Sequence, residues 1–271
     1  MVLAEAQSMT PQFDEAFRDI AGASNFPMWG RLGWQDVRRR YRRTSIGPFW
    51  TTLSLAIFVG ILGLMWSNLW KVDPKQYLPY LTSGMLTWVL FSTMVTEGCT
   101  TLISAEALIK QLRISYTVLA CATVWRNLVV FAHNLVIFVV VCLYAGLWPT
   151  WFTLFLIPGV VVLCANGVWI ALLLGLVCAR YRDIQQVVTS VLQVSMFVTP
   201  IFWSPAQLTG RAIILADFNP LYHYIEIVRD PLLGRPPSAM SWLVVILMTV
   251  IGWSITLFMF GRFRRRIPYW L

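Results

Sequence analysis

Long apolar runs alternate with short charged segments along most of the chain. Six runs reach the roughly 20 residues that a membrane-spanning helix needs. They cover residues 46–69, 78–101, 118–147, 152–179, 184–203 and 242–263. The third and fourth exceed one bilayer thickness, so they tilt or project from the membrane. The pattern predicts an all-α integral membrane protein with six transmembrane helices. Residues 1–44 form an N-terminal segment ahead of a six-span domain over residues 45–271.

Three segments outside these runs carry helical patterning. Residues 29–43 interleave Trp29, Leu32, Trp34, Val37 and Tyr41 with arginines. Such a helix suits the headgroup layer, although a solvated basic topology signal would look the same. Residues 104–114 place Leu108, Ile109 and Leu112 on one face of a short helix between the second and third runs. Residues 204–241 hold two apolar patches, Ala212–Leu215 and Leu221–Val228, separated by Asn219-Pro220. Each patch is too short to span. They predict two short re-entrant or periplasmic helices before the last span, or a helical surface cap.

Charge sets the orientation. With the N-terminus inside, fifteen Lys and Arg fall on the inner side. The outer side holds five: Lys71, Lys75, Arg211, Arg229 and Arg235. This is the positive-inside bias, and an even number of spans puts both termini in the cytoplasm. The first forty residues contain Glu5, Asp14, Glu15 and Asp19 but no apolar signal core, so the first span is expected to direct insertion.

Composition supports the membrane reading. The chain is 58% hydrophobic and 12% charged, with a mean hydropathy of +0.67. A soluble domain carries about 25% charged residues. The net charge of +9 sits between apolar runs and follows from topology; it does not indicate nucleic-acid binding. The five cysteines lie in apolar stretches without a C-x-x-C pair, which points to packing.

Catalytic chemistry is sparse. The only lysines are Lys71, Lys75 and Lys110, and no Gly-Lys dipeptide exists to build a phosphate loop. His133 and His223 are far apart, and the carboxylates do not cluster. The chain is therefore expected not to be an enzyme and to hold no cofactor or metal. Energy must come from another chain or an ion gradient. Glu97 and Arg126 are the strongest mid-membrane ionisable candidates. They fall at similar depth on adjacent antiparallel spans, where mutual neutralisation is favoured over a proton relay.

Several motifs then resemble one family. Arg39-Arg40-Tyr41-Arg42-Arg43-Thr44-Ser45-Ile46-Gly47-Pro48-Phe49-Trp50 precedes and opens the first span, and Tyr77-Leu78-Pro79-Tyr80-Leu81-Thr82-Ser83-Gly84 opens the second. Leu108 to Arg113, Val124-Trp125-Arg126-Asn127 with His133-Asn134, and Ala179 to Ile184 follow. Thr199-Pro200-Ile201, Asn219-Pro220-Leu221, Arg229-Asp230 and Arg265 to Trp270 complete the set. Together they resemble the membrane subunit of ABC-2 type polysaccharide exporters, which move O-antigen or capsular polymer. One departure stands out: the family often has a proline after its coupling helix, where this chain has Ser115-Tyr116.

The resemblance implies a homodimer with two separate ATP-binding cassette subunits, which would hold ATP and Mg. It implies a polyprenyl-diphosphate-linked polysaccharide carried across the bacterial inner membrane. Residues 104–114 would be the coupling helix, with Leu108, Ile109 and Leu112 as anchors and Glu106, Lys110 and Arg113 around them. Arg182 and Asp183 would add a second contact with the ATPase; Asp183 with Gln186 also fits a helix N-cap with its capping-box partner. Arg38, Arg39, Arg42 and Arg43 would meet a diphosphate headgroup or anionic membrane lipid. Trp50, Phe58, Phe197, Phe202 and Trp203 would line a sugar path with flat apolar faces, or else face lipid or pack. Two other readings remain. One is an ABC-2 permease for teichoic acid, a glycolipid or a drug. The other is a polyprenyl-phosphate-dependent glycosyltransferase, against which the scattered carboxylates argue.

Overall fold

The computed structural model describes residues 14–42, 49–112, 114–205 and 216–271. Residues 14–21 form helix α1, and a short 3-10 turn leads into α2 (Phe26–Tyr41). There follow α3 (Phe49–Trp70), α4 (Pro74–Ser104), α5 (Glu106–Gln111) and α6 (Tyr116–Ala145). After them come α7 (Leu156–Arg180), α8 (Ile184–Val198), α9 (Pro220–Leu232), α10 (Ala239–Phe263) and α11 (Ile267–Trp270). No strand occurs among the described residues.

Among the described residues, five helices are long and apolar enough to cross a membrane. They correspond to the first four predicted spans and the last. The fifth predicted span differs. Its helix ends at Val198 after 15 residues, roughly 22 Å, against roughly 30 Å of hydrocarbon. Proline disfavours helical backbone in the residue before it, and Thr199, preceding Pro200, is extended at φ −80°, ψ 139°. The fifth predicted span, 184–203, therefore ends as a helix before its expected limit. The second outer patch is part of α9, whereas Ala212–Leu215 lies outside the described residues.

Helix α4 is the centre of the fold, packing on α3, α6, α7, α8 and α9. Its buried Thr82, Ser83 and Thr87 donate to their own helix one turn back, at 2.6, 2.8 and 2.9 Å. Their hydroxyls are thereby satisfied without a partner helix, so small polar residues can sit at a tight interface. Helices α3 and α8 are more peripheral. The buried stripe of α3 is Thr52, Leu55, Val59, Gly63 and Ser67, at helical spacing. Its other face exposes Trp50, Leu53, Ile57 and Ile61. Helix α8 buries only Leu192 and exposes Val187, Val191, Val194 and Phe197.

Helix α2 packs against α6. Gly33 makes the close approach possible: a Cβ there would stand 2.8 Å from the Ala122 carbonyl oxygen. Phe26, Trp29 and Trp125 pack edge to face around this contact, with centroids 4.7–6.0 Å apart. Helix α9 starts at a local cap, with the Asn219 side chain accepting from the Leu221 amide and Pro220 in the first turn. It buries Tyr224, Ile227, Val228 and Arg229 among α4, α7 and α10.

Candidate functional site

At one end of the bundle α1 and the C-terminal segment meet α5. Glu15 and Asp19 of α1 pair with Arg265 and Arg264, which follow the last long helix. The Arg265 hydrogen bond holds the Glu15 carboxyl below the usual carboxylate range, with fields from Arg264 and Arg18 in support. Helix α11 packs on α5 and α7, and Arg180 lies over the Trp270 ring at 5.1 Å.

Helix α5 is shorter than expected, because Leu112 already has extended backbone. Glu106 and Lys110 close an i, i+4 pair at 2.6 Å. That bond lowers the Glu106 pKa, and the field of Arg182 adds to it, which puts the Arg182 turn near α5. The expected anchors divide. Leu112 is 55% exposed, whereas Leu108 and Ile109 turn partly inward onto a cluster with Ala16, Leu102 and Tyr116. Leu112 is therefore open to solvent, and the other two only along their outer edges. Arg113 lies outside the described residues. Asp183 takes the N-cap position of α8, but its side chain makes no cap bond. Its backbone is helical (φ −69°, ψ −25°), whereas a capping side chain needs non-helical backbone, so the expected capping box does not form.

A charged cluster binds α2 to α4 and α6 near the same end. Arg126 donates from Nε and Nη2 to Glu97 Oε2 at 3.1 and 2.7 Å. The structure thus brings this predicted pair together and adds three partners. Arg126 Nη1 reaches Asp36 at 2.9 Å, Arg40 reaches Glu97 Oε1 at 2.7 Å, and the Asn127 amide donates to Glu97 Oε2 at 2.7 Å. Arg40 is therefore turned toward protein. Arg38, Arg39 and Arg42 are exposed and make no ion pair among the described residues. Arg43 lies outside them.

The candidate aromatic lining also divides. Trp50, Phe58 and Phe197 are 59%, 40% and 66% exposed. Trp203 is half-buried and donates from its indole to the Phe197 carbonyl at 3.2 Å. Phe202 is buried in the core, which corrects the expectation that it lines a path. The chain turns after Thr199, and Tyr77 holds the Phe202 carbonyl at 2.6 Å, tucking its ring inward. Between α3 and α6 lies an apolar groove of about 720 Å³, lined among others by Leu53, Ala56, Gly60, Leu64, Val136 and Val140.

At the opposite end, sequence reasoning missed a second polar cluster. Arg229 is 1% exposed, donates to the Tyr80 hydroxyl at 2.8 Å and to the Pro200 carbonyl at 2.7 Å, and stacks 4.1 Å from the Tyr80 ring centroid. Tyr80 donates onward to the Trp203 carbonyl at 3.0 Å. The usable signal was Ile227-Val228-Arg229, an arginine embedded in an apolar helix face. No group of three or more potential metal ligands occurs among the described residues.

The family model for ABC-2 type transporters matches residues 29–233. The O-antigen export system permease protein RfbA of Myxococcus xanthus is 24% identical over 190 residues, 69% of this chain and 73% of that protein. Two proteins of the same name from Klebsiella pneumoniae are 21% and 19% identical over 228 residues, each covering 82% of this chain and 87% of the relative. The matched segment runs from the first turn of α2 through α9, including the charged cluster, α5 and the Arg229 site, and the chain belongs to the ABC-2 type transporter family.

Proposed function

We infer that this chain is the permease subunit of an ABC transporter that exports a polyprenyl-diphosphate-linked O-antigen or related polysaccharide across the bacterial inner membrane. The family match over residues 29–233 carries this reading, and the names of the three relatives favour O-antigen. ATP is hydrolysed by two separate cassette subunits, on which α5 docks, with Leu112 as the main exposed anchor. Two copies of this chain enclose the path, with the exposed faces of α3 and α8 and the rings of Trp50, Phe58 and Phe197 turned toward it. The apolar groove beside α3 has the chemistry to take a prenyl tail, and the free arginines of α2 the charge to meet a diphosphate.

Six crossings with both termini cytoplasmic fit the contacts. Glu15 and Asp19 touch Arg265 and Arg264, which supports putting α1 and the C-terminal segment on one face of the membrane. That requires an even number of crossings. Helix α8 leaves the end marked by Arg180 and Trp270, and residues 200–203 reach the outer end of α4 at Tyr77 and Tyr80. On this reading, helix α8 with its short extension supplies the remaining crossing.

The test is reconstitution. In vesicles with its cassette partner, the chain should move polyprenyl-diphosphate-linked polysaccharide only with ATP, and alone it should hydrolyse none. Reporters after Leu271 should read cytoplasmic, and those near Asp73 or Arg235 external. ATP-independent transfer of sugar onto a lipid carrier by the purified chain would instead establish the glycosyltransferase reading.

A further inference from the structure

One buried carboxylate joins three segments that are far apart in sequence. Asp19 of α1 has a side chain with 0% exposure. Its Oδ1 accepts from the Ser115 hydroxyl at 2.6 Å, the Thr117 amide at 3.1 Å and the Thr117 hydroxyl at 3.2 Å. Ser115 and Thr117 open α6 directly after α5. A helix N-terminus needs acceptors for its free amides, and Ser115 at the N-cap makes no such bond itself. Asp19 supplies that acceptor from nearly a hundred residues away, and a negative charge there also suits the helix dipole.

The other oxygen faces the end of the chain. Oδ2 accepts from Arg264 Nε and Nη2 at 2.9 and 2.7 Å. Charge-assisted bonds of this kind are the stronger and more directional class. The Arg264 guanidinium also lies 5.3 Å from the centroid of the Tyr116 ring. The start of α6 and the end of α10 are thus tied to one side chain of α1, and α1 in turn packs Ala16 into the cluster that holds Leu108 and Ile109 of α5. At this junction it is the Ser115 hydroxyl that Asp19 holds.

We propose that Asp19 is a positioning residue for energy coupling: it makes α5, the start of α6 and the end of α10 move as one body. A displacement of α5 by the cassette subunit then reaches two spans at once. Without Asp19, α5 and α1 can move without carrying the start of α6 and the end of α10 with them. The proposal rests on the reading of α5 as the coupling helix.

The experiment compares Asp19→Asn, Arg264→Gln and Arg264→Lys in the reconstituted complex. It measures assembled complex, ATP hydrolysis, and polymer exported per ATP hydrolysed. A structural role alone would lower the first two and leave the ratio unchanged. We expect Asp19→Asn to keep assembly and hydrolysis near wild type and to lower export per ATP about tenfold, the scale on which single residues along a coupling route act. Arg264→Gln, which frees only the last span, should lower the ratio less, and Arg264→Lys should recover part of it. An unchanged ratio in both Asp19→Asn and Arg264→Gln overturns the proposal, as does export that falls only in proportion to folded protein. If Asp19→Asn does not fold, Arg264→Gln decides by the same ratio. The underlying reading is tested separately by Leu108→Asp with Leu112→Asp. Normal assembly and export there remove α5 from coupling. Loss of the cassette subunit, together with wild-type ratios in Asp19→Asn and Arg264→Gln, removes only the role of Asp19.

Discussion

Arg126 and Arg229 are both withdrawn from water, at opposite ends of the bundle, and the protein solves the same problem twice in different ways. Arg126 is answered by charge, with Glu97 and Asp36 on either side of its guanidinium. Arg229 makes no ion pair among the described residues. It is answered by dipoles and a ring, namely the Tyr80 hydroxyl, the Pro200 carbonyl and the Tyr80 face, and its Nε is buried without a hydrogen-bond partner. The first arrangement neutralises a charge and fixes α2 to the spans. The second uses a charge to hold the Pro200 carbonyl, where the chain leaves α8. A cation that grips backbone is tied to one conformation of that backbone.

The contrast breaks most sharply at Glu97. Glu97→Gln leaves Arg126 with a single half-exposed carboxylate and deprives Arg40 of its partner. It should cost about 3–5 kcal/mol, the usual result of removing one member of a buried pair. Glu97→Gln with Arg126→Gln should recover part of this in a denaturation series in detergent. Strictly additive losses would show that the pair is not coupled.

Arg229→Met should cost less, about 1–3 kcal/mol, because the lost bonds are offset by removing a buried cation. A cost equal to that of Glu97→Gln would erase the distinction between the two sites. Gly84→Ala sharpens it, since a Cβ at Gly84 would collide with Arg229 Nη2. Overpacking there should cost about 1–3 kcal/mol in the native background and much less beside Arg229→Met.

The last contrast concerns pH. Burial pushes the Asp230 carboxyl up from 3.8 to about 7, and Glu226 adds to the rise against the pull of Arg229 and Arg235. Between those two values the folded protein holds a proton that the unfolded chain releases. This contribution to stability is therefore full below about pH 4, falls as pH rises through 7, and is flat above. Thermal midpoints at about pH 5 and pH 8 should differ in this direction, and Asp230→Asn should flatten the difference. A midpoint that rises over the same interval, in a manner dependent on Asp230, would reverse the assigned sign.

The aromatic residues show where sequence reading reached its limit. Trp50 and Phe197 stand exposed on peripheral helices, whereas Phe202, only five positions beyond Phe197, is buried. Helical periodicity could not foresee this, because the helix stops at Val198 and the face pattern no longer applies. Leu108 and Ile109 pose the same problem. Their spacing made an apolar face legible, but only contact with Ala16 and Tyr116 decided which edge of it points inward.

The sequence by itself determined the membrane class, the number and order of the apolar segments, the absence of a phosphate loop, and the family motifs. These properties are local or compositional: a run of apolar residues must leave water whatever lies beside it. It also placed Glu97 and Arg126 at matching depth, because rise per residue converts position into height along antiparallel helices. Tertiary structure alone decided that Arg40 and Asp36 join that pair, that Asp19 caps α6 and grips Arg264, and that Arg229 closes on the carbonyl of Pro200. Each of these contacts joins segments 29 to 245 positions apart. A polar side chain in an apolar surrounding must find a partner, but the sequence does not say which of several will be within 3 Å; the packing of α4 against its neighbours does.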